Sequence, residues 1–161
     1  MESGAEAPAV AVQLLKRLEE SRQRVFVVDW LAAAGHAEAL PALRASYAHE
    51  EDPEVRSAVI RAHGLLGGDA DVPWLEARLG NARLVETALL ALARLRTPTA
   101  RKALEAFREQ RLKGSEEDQE LAEKVLRLLG PAFEEAEGAM ANRPEPAAAP
   151  PAPAAGAPSP R

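Results

Sequence analysis

The sequence has no cysteine, few aromatic residues and a single isoleucine, Ile60. Without cysteine the chain has no disulfide, no thiolate nucleophile and no thiolate metal ligand. The β-branched residues form no alternating runs, which a half-buried β-strand would need. Alanine, leucine, glutamate and arginine dominate instead, and these are strong helix formers. We therefore predict an all-α fold.

Long apolar runs and a basic charge balance are missing as well. No apolar stretch approaches the ~20 residues that span a membrane. The first residues, MESGAEAPAVAVQLLKRLEE, lack the basic and apolar regions of a secretory signal. The net charge of −5 gives no general attraction to nucleic acid or anionic lipid. We expect a soluble, cytoplasmic protein with no membrane partner.

Proline and alanine dominate the end of the chain, NRPEPAAAPPAPAAGAPSPR. Proline cannot continue a helix or donate to a sheet, and this segment has no large apolar side chains to bury. We predict a flexible N-terminus at residues 1–6, a helical-repeat domain at residues 7–140 and a disordered tail at residues 141–161. The tail is expected to be a tether, and a ligand for an aromatic groove is the alternative.

The clearest helix is predicted at residues 52–67. Asp52 is a favourable cap, and Pro53 suits the first helical position. Apolar residues recur at spacings of three and four on one face. They are Val55, Ala58, Val59, Ala62, Leu65 and Leu66. Gly67 ends this helix, and a shorter second helix is expected at about residues 72–79.

This two-helix unit recurs with a period of about 30 residues. A third unit follows at residues 85–111, where Thr97 and Pro98 supply the cap and first-turn proline of its second helix. An earlier unit occupies residues 22–49. Its first helix places four residues on the core face, which are Val27, Trp30, Leu31 and Ala34.

A last unit is predicted at residues 115–140. Ser115 and Asp118 form a capping box before its first helix, and its second helix is expected from Pro131 to Met140. A leading helix lies at about residues 8–20. One pair of short helices cannot bury its apolar faces, whereas stacked pairs form a continuous core. We predict an α-solenoid of about four antiparallel helix pairs with an extra N-terminal helix.

Residues 51–79 resemble the HEAT-like repeats, in particular the short bacterial kind first noticed in phycobilisome lyases. The matching residues are Asp52, Pro53, Val55, Arg56, Ala58, Ala62, Leu65, Gly67, Asp69, Leu75 and Leu79. Residues 81–111 match less closely, because Arg94–Thr97 replaces the glycine–aspartate turn of the family. The resemblance implies a HEAT-like superhelix that serves as a binding scaffold, and it implies no reaction.

We find no catalytic constellation in the sequence. Residues 49–52, HEED, include metal-ligand types, but they are adjacent, whereas ligands on one helix face are three or four residues apart. We interpret them as a linker and a cap. His63 is expected on a helix surface and His36 in a turn. The chain is therefore predicted not to be an enzyme and to have no catalytic residue, cofactor or metal.

The distribution of charge is more informative. Basic residues are concentrated at residues 94–113, and acidic residues follow at residues 116–123. Opposite charges at neighbouring helix ends explain part of this pattern, but not Arg101 and Lys102, which lie near a helix start. A basic patch that binds a partner is the other interpretation.

The second helices are the predicted binding surface. The resemblance implies that they line the concave face of the solenoid, and Arg and Trp are enriched at binding hot spots. The predicted partner-binding residues are Arg44, Trp74, Arg78, Arg101, Lys102 and Arg108. Packing between repeats is an alternative role for Trp74, whereas Trp30 is assigned to the core.

The most consistent function is that of a non-enzymatic interaction scaffold or adaptor, active as a monomer. Its partner would be a protein or peptide with an acidic segment. Two alternatives remain open. One is the binding of a nucleic-acid backbone through residues 94–113. The other, suggested by the resemblance, is an accessory subunit of a chromophore lyase.

Overall fold

The computed structural model describes the backbone of residues 6–141 and the side chains of residues 8–130. Within that range the chain forms eight α-helices and no strand. The helices are α1 Glu6–Leu15, α2 Ser21–Ala33, α3 Leu40–Tyr47, α4 Pro53–Leu66, α5 Val72–Glu76, α6 Val85–Leu95, α7 Pro98–Arg111 and α8 Glu116–Ala141. Short 3₁₀ turns at Ala37–Ala39 and Asp69–Asp71 lead into α3 and α5. The predicted proline-rich tail, apart from Ala141, lies outside the described residues.

The helices pack as a solenoid in two layers. The first helices of the units, α2, α4 and α6, lie side by side in chain order. The second helices, α3, α5 and α7, form the other layer, which we call the second-helix layer. α1 packs in front of α2, and α8 packs on α7 and α6. The predicted all-α solenoid is therefore confirmed.

α4 occupies the centre of this arrangement. Ala58, Val59 and Ala62 belong to a buried cluster shared with α1, α2 and α3. Ile60 belongs to the other buried cluster, which is built by α5, α6, α7 and α8. Burial of these apolar side chains, at about 25 cal/mol per Å², supplies the main stabilisation of the stack.

The predicted caps are present. The Asp52 carboxylate accepts hydrogen bonds from the backbone N–H groups of Glu54 and Val55, at 2.8 and 3.3 Å. Thr97 Oγ1 accepts from the Ala100 N–H at 3.2 Å. Ser115 and Asp118 bond reciprocally, as a capping box does. These local hydrogen bonds set where α4, α7 and α8 begin.

The last unit differs from the prediction. A second helix was expected to start at Pro131, but α8 runs without interruption from Glu116 to Ala141. Proline removes one backbone hydrogen bond from a helix and can bend it, yet it does not by itself reverse the chain. Within residues 6–141 the solenoid therefore has three helix pairs, one helix before them and one long helix after them.

The buried face of α2 is also rotated from the prediction. Trp30 is 42% exposed and Ala34 is exposed, whereas Val28 and Ala32 are buried together with Val27 and Leu31. α2 packs against α4 along its length and also against α1, so the buried arc is set by both neighbours. The assignment of Trp30 to the core was wrong, and its ring instead lies 5.4 Å from that of His36.

Candidate partner-binding site

Three of the six predicted binding residues meet in one cluster on the second-helix layer. α3 contributes Arg44, and the end of α5 with the following turn contributes Trp74 and Arg78. Four further side chains complete what we call the Tyr47–Trp74 cluster. They are Tyr47, Arg56, His63 and Asp71.

His63 lies at the base of the cluster with its side chain fully buried. Its Nδ1 is 2.9 Å from the Val59 carbonyl oxygen, and its Nε2 is 3.3 Å from Arg44 Nε. Arg44 can only donate, so Nε2 is the acceptor and Nδ1 carries the proton of a neutral ring. Burial lowers the pKa of His63, which agrees with the neutral form. The prediction that His63 lies on the surface was wrong.

Trp74 packs over this histidine. The two rings are stacked with centroids 4.2 Å apart, and Tyr47 meets the Trp74 ring edge-on at 5.2 Å. Such aromatic pairs contribute about 0.5–1.5 kcal/mol beyond the area that they bury. Trp74 is therefore half-buried between α3 and α4, and its orientation is set by rings from both helices.

Asp71 connects the cluster to the turn between α4 and α5. Its carboxylate accepts hydrogen bonds from Arg44 Nη2 and from the Gly68 N–H, the latter at 2.9 Å. Gly67 lets this carboxylate approach the backbone, because a Cβ there would lie 2.4 Å from the His63 carbonyl oxygen and 2.7 Å from Asp71 Oδ2. Asp71 is only 7% exposed, so its charge is compensated by Arg44.

Two arginines flank the Tyr47 ring. The guanidinium carbons of Arg78 and Arg56 lie 4.9 and 5.4 Å from its centroid, and that of Arg78 lies 3.9 Å from the Trp74 centroid. Arg78 donates to the Trp74 carbonyl oxygen at 2.7 Å, and Arg56 donates to the Glu50 carbonyl oxygen. Among the described residues, neither arginine has a carboxylate partner, and the Nε of Arg78 is buried without an acceptor.

The other three predicted residues lie on α7. Arg101 pairs with Glu105 at 3.0 Å, one turn along the helix. Arg108 lies two turns after Arg101 on the same side of α7, and its Nε is buried without an acceptor in the described part of the chain. Lys102 is exposed on another side of α7. The structure therefore brings three of the six predicted residues together in the Tyr47–Trp74 cluster, and the other three lie on α7.

A groove of about 830 Å³ lies between α6 and α8. Two of the cations along it are already neutralised by carboxylates of the same groove. Arg111 binds Asp118, and Lys124 lies 2.7 Å from Glu86. These internal pairs leave its walls with mixed charge, so the groove has less electrostatic preference for an anionic partner than the Tyr47–Trp74 cluster.

Comparison with known proteins agrees with this architecture. A family model for HEAT repeats matches residues 8–85. Residues 8–85 consist of HEAT-like repeats. No curated protein and no solved structure matches the chain.

The matched part of the chain runs from α1 to the start of α6 and includes the whole Tyr47–Trp74 cluster. None of the helices in residues 6–141 is both long and apolar enough to cross a bilayer. The same residues contain no group of three histidine and carboxylate side chains that could hold a metal ion.

Sequence reasoning missed four members of the cluster. Tyr47 and Asp71 were not predicted as binding residues, Arg56 was named only as part of the HEAT-like pattern, and His63 was expected on a helix surface. One signal was present in the sequence: a histidine, a carboxylate and a tryptophan lie within twelve positions across a turn, at 63, 71 and 74. That signal shows proximity in the chain, but not that all three side chains point inward.

Proposed function

We propose that this protein is a non-enzymatic, cytoplasmic scaffold that binds an acidic segment of a partner protein on its second-helix layer. HEAT repeats in general serve as surfaces for protein partners. The Tyr47–Trp74 cluster is the proposed contact surface. Arg44, Trp74 and Arg78 keep their predicted role, and Tyr47 and Arg56 join them.

One observation supports the acidic partner above all. Arg56 and Arg78 are held over the Tyr47 ring by stacking and by backbone carbonyl groups. Neither has a carboxylate partner within the described residues. Arg24, by contrast, forms a fork with the Glu50 carboxylate at 3.0 and 3.1 Å. Two guanidinium groups without a counter-charge, beside one ring, favour a carboxylate from another molecule.

The surface is ordered before a partner arrives. The Trp74 ring is fixed by His63 on one side and by Arg78, at 3.9 Å, among its other neighbours. Arg44 is fixed by Asp71 and His63. Side chains that are already immobile lose less conformational entropy when they bind. This order favours affinity from a small number of contacts, in the manner of Trp and Arg hot spots.

A peptide-binding measurement tests the proposal. The probe is a fluorescently labelled hexaglutamate peptide, and its anisotropy is followed as the protein is added. Replacing both arginines (Arg56→Gln and Arg78→Gln) should weaken binding by at least about tenfold, since each charge-assisted hydrogen bond contributes about 1.5–3 kcal/mol. The matched control replaces two exposed arginines outside the cluster and outside the basic stretch, Arg17→Gln and Arg22→Gln. The same loss in both double variants would reduce the effect to net charge and contradict the proposal.

The basic group on α7 is tested in the same assay. The variant Arg101→Glu, Lys102→Glu, Arg108→Glu reverses its charge. If α7 extends the binding surface, the peptide should bind more weakly to this variant, and unchanged binding would confine the surface to the Tyr47–Trp74 cluster.

The nucleic-acid alternative is tested by capturing partners from a cell lysate with and without nuclease. Capture that disappears after nuclease treatment would favour nucleic acid.

A further inference from the structure

The Tyr47–Trp74 cluster contains a titratable group at the point where its two helices are joined. Arg44 of α3 donates through Nη2 to Asp71 Oδ1 and through Nε to His63 Nε2. The same Asp71 oxygen lies 3.9 Å from His63 Nε2. Two cations, the Arg44 guanidinium and a protonated His63, would therefore compete for one carboxylate oxygen.

We propose that protonation of His63 transfers Asp71 from Arg44 to the imidazolium, separates α3 from α5 and releases the bound acidic segment. This inference rests on the proposed function of the same surface. A proton on Nε2 removes the acceptor of the Arg44 Nε–H and places a positive charge beside that guanidinium. The new N–H then turns to Asp71 Oδ1, and Arg44, whose side chain is 35% exposed, moves into solvent.

The consequence reaches the binding surface through α3. Tyr47 lies one turn after Arg44 on that helix, and its edge contact with Trp74 joins α3 to α5. When Arg44 no longer binds Asp71, the contact between α3 and α5 depends on the Tyr47–Trp74 ring pair and is weaker. Movement of Tyr47 away from Trp74 also takes the ring away from Arg78, which separates the two guanidinium groups that face the partner.

The charges around His63 come from three elements. Asp71 of the 3₁₀ turn favours its protonated form, whereas Arg44 of α3 and Arg78 after α5 disfavour it. Within the described residues, α2 and α6, which pack on other sides of α4, place no charged group against this ring. The two arginines and the loss of solvent oppose one carboxylate, so the neutral form is favoured at neutral pH.

The conformational part is measured without a ligand. The chain has two tryptophans, so Trp30→Phe leaves Trp74 as the reporter, and a stacked imidazolium quenches tryptophan fluorescence. Lowering the pH from 7.5 to 5 should reduce the fluorescence with a midpoint below 6.5, the usual pKa of histidine. The added substitution His63→Gln should remove this transition, since its amide oxygen still accepts from Arg44 but does not titrate. His49→Gln, at an exposed histidine, is the matched control and should leave it unchanged.

The release is measured with the hexaglutamate peptide in the same pH range. Its affinity for the wild-type protein should fall by up to about tenfold for each pH unit below the pKa of His63. With His63→Gln the affinity should change little, because the peptide carboxylates remain largely ionised above pH 5. In case His63→Gln does not fold, a titration of the three histidine C–H resonances of the wild-type protein gives the pKa of His63 directly.

The outcomes separate the two proposals. A fluorescence transition that persists in His63→Gln, or a wild-type transition whose midpoint differs from the pKa measured for His63, would overturn the switch. Equal peptide affinity at pH 7.5 and 5.5 would overturn the release and leave the proposed function intact. Peptide binding at neither pH would overturn the proposed function, and the fluorescence titration would still decide whether His63 controls the contact of α3 with α5.

Discussion

A nearly buried aspartate shows how single residues determine the Tyr47–Trp74 cluster. Asp71 loses most of its hydration, and the loss is offset because its two oxygens accept from Arg44 and from the Gly68 N–H. The same carboxylate ends the turn between α4 and α5. One side chain therefore sets the entry of α5 and anchors Arg44 of α3.

Removing this carboxylate should destabilise the protein. Asp71→Ala leaves the Arg44 guanidinium and the Gly68 N–H without their acceptor, so we expect the free energy of unfolding to fall by about 1–3 kcal/mol. Urea denaturation followed by circular dichroism measures it. Asp69→Ala, at an exposed position in the same 3₁₀ turn, is the control and should change the value by less than about 0.5 kcal/mol. Equal losses in both variants would show that the Asp71 hydrogen bonds make no specific contribution to the free energy of unfolding.

At the scale of the helices, the crossing of α4 and α6 depends on a missing side chain. A Cβ on Gly64 would lie 2.6 Å from Ala91 Cα and 2.8 Å from its Cβ. Such distances are shorter than any van der Waals contact, so the two backbones approach closely only because position 64 is a glycine. Glycine usually weakens a helix interior, and here that cost is offset by the close packing of α4 on α6.

The substitution Gly64→Ala should therefore destabilise the protein, although alanine favours helices. An added methyl group in a closely packed contact costs about 1–3 kcal/mol. Gly80→Ala adds the same group where nothing lies within 4 Å, and it should change the stability by less than about 0.5 kcal/mol. The melting temperatures of the two variants and the wild type provide the comparison. A Gly64→Ala variant as stable as the wild type would mean that α4 and α6 can move apart without loss.

The turn between α6 and α7 contains a left-handed residue that is not glycine. The family pattern has a glycine–aspartate turn at this point, whereas Arg96 here adopts a left-handed conformation with φ of 52°. A non-glycine residue with positive φ is uncommon and carries some strain. Thr97 follows directly and caps α7, so the helix start is preserved although the turn residues differ.

For the whole molecule, several buried or paired groups make stability depend on pH in two stages. The folded-state pKa of His63 is lowered by burial, so the unfolded chain binds a proton first as the pH falls below about 6.5. The pKa of Asp52 is lowered by the Ser21 hydroxyl, and that of Asp118 by Arg111. The unfolded chain protonates these carboxylates below about pH 4.

We therefore expect the melting temperature to be highest above pH 6.5, to fall first as the pH drops below about 6.5, and to fall again below about pH 4. In both stages the unfolded state binds more protons than the folded state, so stability decreases as the pH falls. Differential scanning calorimetry at a series of pH values measures this dependence. His63→Gln should flatten the first stage and leave the second. If the His63→Gln variant still loses stability in the first stage, another titratable group is responsible for that stage.

Sequence rules that act within a few residues were sufficient for much of this protein. Helix periodicity placed α4, α6 and α7, and the caps Asp52, Thr97 and Ser115 were identified from residue type and position. These features follow from hydrogen bonds between near neighbours in the chain. The repeat period then implied stacking, because one short helix pair cannot bury its apolar face.

The tertiary structure decided which way each side chain points and what it meets. α4 is surrounded by α2, α3 and α6, so its buried arc is wider than one apolar stripe and takes in His63 and Gly64 as well. On α2 the neighbours α4 and α1 set the buried arc, and Trp30 lies outside it although its spacing fits the stripe. Arg56 comes from α4 and Arg78 from the turn after α5, and the two guanidinium groups meet at the Tyr47 ring. The sequence determined the helices and their repetition, whereas the packing of several helices around α4 decided which side chains meet in the proposed binding surface.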